Sequence, residues 1–224
     1  MSHKKRINTP KSWPIGRKEN KFIVRPMPGP HTIESSIPLN LILKSLLKCA
    51  KTTREVKNLL NNGKILINNI LRKDHHFPVG LMDTISIPDT NEYYRLLYNE
   101  KGKFKLDKIN KVETEQKVIK IVNKKILKKK ITQLNLYDGT NLLIKKDEFK
   151  VGDTIIIDPK NNIKKHIKLG KGAIIYFTGG KFIGQKGITE QIITTKGVTH
   201  NKIKFKLGTE SHSTLKEYAY VIEK

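Results

Sequence analysis

A chain of 224 residues with 45 Lys+Arg against 20 Asp+Glu carries a formal net charge of +25. Such a charge exceeds what solubility requires and marks a polyanion, either nucleic acid or an anionic membrane, as the partner class. Membrane is disfavoured, because apolar runs such as LNLIL and AIIYF fall far short of the about 20 residues a spanning helix needs. The basic N-terminus has no apolar stretch behind it to make a secretory signal, and there is no strong basic amphipathic anchor. The single cysteine, Cys49, excludes an intrachain disulfide and fits a reducing cytoplasm. Bordering an apolar stripe, it reads as a buried, inert thiol.

Residues 1–37 read as an extended arm, since prolines at 10, 14, 26, 28 and 30 prevent any long helix. Lys4, Lys5, Arg6, Lys11, Arg17, Lys18, Lys21 and Arg25 face only Glu19 in its first 25 residues. A free basic tail would explain the charge but not Trp13, Ile15, Phe22, Ile23 and Val24. Apolar residues between cations predict a segment held in place, with Trp13 stacked on a base or packed on a neighbour. The prolines and charges make this arm a poor expected contributor to the core.

Residues 38–103 follow as a helical and hairpin unit. Leu39, Ile42, Leu43, Leu46 and Leu47 form an apolar stripe at helical spacing, with Lys44, Lys48 and Lys51 opposite. Thr52 and Glu55 form a capping box, and Val56, Leu59 and Leu60 share the inner face of the helix they begin. Asn61-Asn62-Gly63 stops it. Lys64 to Ile67 then reads as a strand, Asn68-Asn69 as a tight turn and Ile70 to Arg72 as the returning strand. Lys51, Thr53, Arg54, Lys57, Lys64, Arg72 and Lys73 line this unit and suit a phosphate backbone. Helix, capped helix with Thr53-Arg54, glycine and an LINN hairpin resemble the S-four-type RNA-binding module. Asp83 to Ile87 and Tyr93 to Tyr98 are further strands.

Residues 104–167 show only strand signals, which together predict a small β-barrel. Val118 to Val122 and Ile131 to Leu136 alternate, Asp138-Gly139 is a hairpin turn, and TIIID closes at Pro159. Lys124, Lys125, Lys128, Lys129 and Lys130 make a dense cationic loop between strands, which we assign to RNA contact. In residues 168–224, GAIIYFTGGKFIGQKGITEQIIT sets glycines among short apolar pairs and places Lys181 in the loop. Strands on both sides exclude a P-loop or a dinucleotide fingerprint, both of which lead into a helix. The pattern is similar to the KOW motif: an apolar strand, a glycine loop, then a strand opening near Ile188.

Taken together, PKSWPIGRK, PGPH, REVKNLLNNGKILINN, DHHFPVGLMDTISIP, QLNLYDGTN, KVGDTIIID and TGGKFIGQKG resemble, in order and along the whole chain, the archaeal and eukaryotic small-subunit ribosomal protein family S-four-e. Asn69 and Ile70 stand where that family often has Asp-Gly. The length suits an archaeal-type member. The resemblance implies a multi-domain α+β protein: a basic extended arm, an S-four-type module, a central small β-barrel and a C-terminal KOW-type small β-barrel. It implies a structural constituent of the cytoplasmic ribosome, with small-subunit rRNA and neighbouring ribosomal proteins as partners and no membrane, small-molecule substrate, cofactor or catalysis.

Other classes fit less well. An RNA-modifying enzyme would need a catalytic domain for which there is no room. Asp74, Asp83, Asp138 and Asp153 lie at turns, where a carboxylate usually caps backbone amides. His75-His76 lack a cysteine or acidic pair at metal-ligand spacing. A free regulatory or transcription-associated RNA-binding protein, or an accessory to RNA modification, is the alternative.

Overall fold

In the computed structural model, which describes residues 3–128, 131–145, 147–159, 162–195 and 200–223, the N-terminal arm is a built part of the fold. Strand β1 (Lys4–Lys5) pairs antiparallel with β2 (Phe22–Ile23). Trp13 is 2% exposed, and its indole N–H donates to the Ser36 carbonyl at 2.8 Å. The Phe104 amide donates to the Ser12 carbonyl and the Met27 amide to the His76 carbonyl. The arm is therefore a core contributor, contrary to expectation. Its prolines fix an extended path without demanding backbone partners, and of the apolar residues between its cations Trp13 is drawn fully inward, Ile15, Ile23 and Val24 are half-buried, and Phe22 stays exposed.

The first helix is shorter and wider than its stripe predicts. After β3 (Ser36–Pro38), α1 (Leu39–Leu41) runs into a π-type turn over Ile42–Leu46. Here the Leu47 amide reaches back to Ile42 and the Cys49 amide to Leu43. Lys48 ends it in the left-handed region, φ 56°. Leu39, Leu41, Ile42 and Leu43 are all buried, so the segment is enclosed rather than amphipathic. Cys49 lies past that enclosure and is exposed, which corrects the buried reading. Its thiol is partly covered all the same, and that burial, then the Glu92 carboxylate, raises its pKa above the usual thiol value.

Helix α2 (Thr53–Asn61) forms as its cap predicts. Thr52 Oγ1 accepts the Glu55 amide at 3.2 Å, and Glu55 Oε2 accepts the amides of Lys51 and Thr52. Val56 and Leu60 are fully buried, and Gly63 takes φ +71°. Strands β4 (Leu66–Ile67) and β5 (Ile70–Leu71) then pair across Asn68-Asn69, whose φ values of 50° and 62° are those a type I′ turn demands at both centres. Strand β6 (Pro78–Gly80) returns to β3. Strands β7 (Thr84–Ile87), β8 (Glu92–Tyr98) and β9 (Phe104–Lys108) complete an antiparallel sheet in the order β5-β4-β7-β8-β9. A short helix α3 (Lys111–Thr114) follows, where the sequence showed only strand signals. Compact units divide as Met1–Tyr98 with Gly102–Lys117, and Asn99–Lys101 with Val118–Lys224. Thus β9 and α3 lie with the first unit, because Tyr98 and Phe104 are register partners whose rings stack at 4.7 Å.

The hairpin is tied down by one buried carboxylate. Asp83, 2% exposed, accepts the Gly80 amide at 2.8 Å and the Asn68 side-chain amide at 2.8 Å, and lies 3.0 Å from His31 Nε2. Asn68 in turn accepts the Thr84 amide at 2.9 Å. Burial works against the ionised carboxyl, but the His31 hydrogen bond and charge, the charge of Lys117 and the Asn68 hydrogen bond outweigh it and hold the pKa below the usual range. A depressed folded-state pKa contributes stability that is complete above the unfolded carboxylate value and is lost as pH falls through the folded one. Asp83→Asn should cost about 1–3 kcal/mol, the penalty for leaving buried donors unmatched, and should flatten the acid limb of stability against pH. Urea unfolding at several pH values measures both; an unchanged acid limb would remove Asp83 from the account.

The second unit holds two five-stranded sheets. Strands β10 (Lys117–Ile126), β11 (Thr132–Leu136), β12 (Asn141–Ile144), β13 (Thr154–Ile157) and β14 (Ile163–Ile167) order as β12-β11-β10-β13-β14. They close over Ile119, Ile121, Leu134, Leu136, Ile155 and Ile157. Strands β15 (Ile174–Phe177), β16 (Lys186–Ile193), β17 (Lys202–Leu207), β18 (Glu210–Leu215) and β19 (Ala219–Ile222) order as β18-β17-β16-β15-β19. Their core is Ile175, Phe177, Ile203, Phe205, Ala219 and Val221. Gly184, φ +79°, lies so close to the Asn99 carbonyl that a Cβ there would collide with backbone. Asp153 repeats the Asp83 device. Buried beside β13, it accepts the amides of Lys150 and Leu169 and lies 2.7 Å from His166 Nε2. Among the described residues no helix is long and apolar enough to cross a membrane.

Candidate nucleic-acid interface

The cap that starts α2 fixes where its first residues point. Thr53 is half-buried at the helix start, and Arg54 beside it is exposed. Among the described residues, no hydrogen bond or ion pair engages the Arg54 guanidinium. Lys51, Lys57 and Lys73 are likewise exposed. The other hairpin cations are partly committed. Lys64 pairs with Asp89 at 2.9 Å, and the Arg72 guanidinium lies 4.5 Å from the Phe77 ring centre with its Nε buried. A planar guanidinium on a rigid helix can give several directed hydrogen bonds to a phosphate or a base edge, which a lysine only partly replaces.

On the arm, Lys4, Lys5 and Arg25 come together around an open depression of about 380 Å³, with His3, Asn8 and Ile33. Lys11 and Lys18 are exposed. Arg6 is turned inward, donating to the Gly16 carbonyl and the Glu19 carboxylate. Arg17 donates to the Thr9 carbonyl at 3.1 Å, and Lys21 lies over the Phe22 ring at 5.5 Å. Trp13 packs in the protein's own core, so of its two readings base stacking is overturned.

In the second unit the predicted cationic loop begins within a strand. Lys124 and Lys125 lie on β10, opposite Leu134 and Gln133 of β11. Lys124 is held by Asp147 at 2.6 Å and by the Phe149 carbonyl at 3.1 Å, while Lys125 and Lys128 are exposed. Lys129 and Lys130 lie outside the described residues. Lys181 is exposed, 5.7 Å from the Phe182 ring centre. Sequence reasoning passed over Lys120, a buried lysine within the apolar alternation of β10. Its one signal was a cation flanked on both sides by isoleucine, Ile119 and Ile121.

The acidic turn residues cap backbone as expected. Asp138 accepts the Thr140 amide and hydroxyl, and Asp74 accepts the His76 amide at 2.7 Å. Asp74, His75 and His76 do converge, with ligand-type atoms all within 4.8 Å of one another, which their sequence spacing did not suggest. His76 Nδ1 is already bound to the Arg25 carbonyl at 2.7 Å. Burial, then the charges of His76 and Lys57, lowers the His75 pKa against the pull of Asp74. The neighbouring positive charge that depresses His75 also opposes a metal cation there.

Two family models match the chain: Ribosomal family S4e over residues 90–163 and the RS4NT (NUC023) domain over residues 2–34. The small ribosomal subunit protein eS4 of Methanothermobacter thermautotrophicus is 41% identical over 224 residues, spanning 99% of this chain and 92% of the relative. That of Methanococcus aeolicus is 39% identical over 238 residues, spanning 98% and 93%. The crystal structure of the 30S ribosomal protein S4e from Thermoplasma acidophilum superposes with a TM-score of 0.74 at 30% identity, covering 84% of this chain and 95% of that one.

Proposed function

The chain belongs to the S4e family of ribosomal proteins, and we propose that it is a structural constituent of the small ribosomal subunit, anchored on rRNA by its arm, its helix–hairpin module and its second unit. The relatives are named as ribosomal proteins, and the chain is not an enzyme. In this reading residues 1–37 are the basic arm and 38–103 the S-four-type module, with β9 and α3 attached to it. Residues 104–167 give a central small β-barrel, and 168–224 a KOW-type barrel. The partners are small-subunit rRNA and neighbouring ribosomal proteins, in the cytoplasm.

The observation that carries the reading is the uncommitted cation set on a rigid unit: Arg54, Lys57 and Lys73 are exposed where capped helix and I′ hairpin fix the backbone. The contacts to phosphate position the protein, and the arginine supplies direction. Arg54→Ala should weaken binding to a small-subunit rRNA fragment by about 1–3 kcal/mol, the range for a good directed contact. Folding should change by about 0.5 kcal/mol or less, because the side chain is exposed. A single lysine such as Lys125 should cost less, since Lys128 follows it closely. Titrating both variants at fixed salt, with thermal melts as the folding control, decides. Wild-type binding by Arg54→Ala beside a weakened Lys125→Ala would move the recognition surface to the second unit. Sucrose-gradient sedimentation tests the assembly itself: migration away from small subunits would favour a free regulatory RNA-binding protein.

A further inference from the structure

Lys120 belongs to none of the surfaces above. It is 8% exposed, yet it lines a cavity of about 610 Å³ in the second unit together with Tyr137, Gly152, His200, Lys216 and Tyr220. Its Nζ donates to the Glu217 carbonyl at 2.7 Å. An ammonium has three donors, and among the described residues this carbonyl is the one acceptor it meets. Burial, then repulsion from Lys216, lowers its pKa to about 8 against the attraction of Glu217.

That second lysine is admitted by a glycine. Gly152 has φ +101°, and a Cβ there would stand 2.9 Å from Lys216 Cε. The Glu217 carboxylate, the nearest acid to act on Lys120, turns outward to His200 at 3.3 Å and is well exposed. Two ammonium groups therefore converge on one cleft with no carboxylate within ion-pairing distance of either among the described residues. Tyr137 supplies a half-buried aromatic wall, set edge-on against Tyr220 at 6.4 Å. Tyr220 is itself pinned by its hydroxyl to the Val118 carbonyl at 2.8 Å.

An anion relieves the lysine–lysine repulsion, and a planar group covers the tyrosine face. The volume lies within the about 300–1,000 Å³ typical of small-ligand sites. We infer that this cleft receives one unstacked nucleotide of the bound RNA, its phosphate held by Lys120 and Lys216 and its base laid against Tyr137. Splayed-out bases resting on aromatic side chains are a common mode of RNA recognition. An acidic side chain could satisfy the lysines but would leave the tyrosine wall uncovered. The inference deepens the rRNA-binding reading and rests on it.

The test uses the full-length protein and adenosine 5′-monophosphate, with adenosine, inorganic phosphate and a short oligoglutamate as comparators, followed by NMR at fixed low salt. The nucleotide should bind at least about tenfold more tightly than each comparator, since both halves of the site must be filled. Lys216→Ala and Lys120→Met should each weaken it about tenfold, while Lys105→Ala, at a first-unit lysine paired with Asp107, leaves it unchanged. If Lys120→Met unfolds, Lys216→Ala carries the comparison alone. Equal affinity for phosphate or for oligoglutamate, or full affinity retained in Lys216→Ala, overturns the assignment. The rRNA-fragment titration run beside it separates the two ideas. Intact rRNA binding with no nucleotide site refutes the cleft only, whereas no rRNA binding refutes the functional reading whatever the cleft does.

Discussion

Raising salt from about 50 to about 200 mM should weaken the protein's hold on small-subunit rRNA by about 10³–10⁵-fold, the loss expected when roughly 6–10 phosphates are neutralised. The cations fall into two groups. Lys5, Lys11, Lys18, Lys51, Arg54, Lys57, Lys73, Lys125, Lys128 and Lys181 are exposed and, among the described residues, outside the protein's own ion pairs, so each can displace a counterion. Arg6, Lys64 and Lys124 already face Glu19, Asp89 and Asp147 and contribute less. Alanine at one free lysine that meets a phosphate should lower the slope of log affinity against log salt by about one. Alanine at Lys64 should lower it by less. Filter binding at four or five salt concentrations measures these slopes. A nearly flat line for the wild type would remove electrostatic anchoring as the basis of the interaction.

Trp13→Ala should cost about 3–5 kcal/mol, the usual range for emptying a buried aromatic site. Marginal stabilities run to about 5–15 kcal/mol, so this one change should consume much of the first unit's margin. Ahead of β3, the arm's described strands β1 and β2 are each two residues long. The indole, enclosed and bonded to the Ser36 carbonyl, is its most deeply packed anchor, beside the Phe104 amide on Ser12, the Met27 amide on His76 and His31 against Asp83. Trp13→Phe keeps most of the packing but leaves the Ser36 carbonyl unmatched, at about 1–3 kcal/mol. Circular dichroism during urea unfolding gives both values without relying on the indole as a probe. Removing residues 1–30 should destabilise at least as much as Trp13→Ala, the reverse of what charge and proline content suggest. A truncated protein with the wild-type midpoint would return the arm to the status of a loose tail.

Some of this was legible in the sequence because its causes are local. Thr52 and Glu55 are three residues apart and satisfy one another's amides, so the start of α2 is written in four letters. Asn68-Asn69 and Asp138-Gly139 mark hairpins because few residues tolerate the positive φ that such turns need. The charge of +25 needs no fold to point to a polyanion. The ordered strings from PKSWPIGRK to TGGKFIGQKG sufficed for the family resemblance. Even the repeated Asp-Thr-Ile of 83–85 and 153–155 was visible, though not that each aspartate would be buried against a histidine.

Only the tertiary structure decided which cations are free and which apolar residues are core. Trp13 meets Ser36 across 23 positions, His31 meets Asp83 across 52, and Lys120 meets Glu217 across 97. A dihedral preference or a cap is settled by atoms within a turn or two of the chain. Burial depends on which distant segments arrive to exclude water, and the cost or gain of a charge follows from that exclusion. In the sequence Arg54 stands between Thr53 and Glu55, and Lys120 between Ile119 and Ile121. One is left exposed at the start of α2, and the other is enclosed because residues 216–220 fold back across β10.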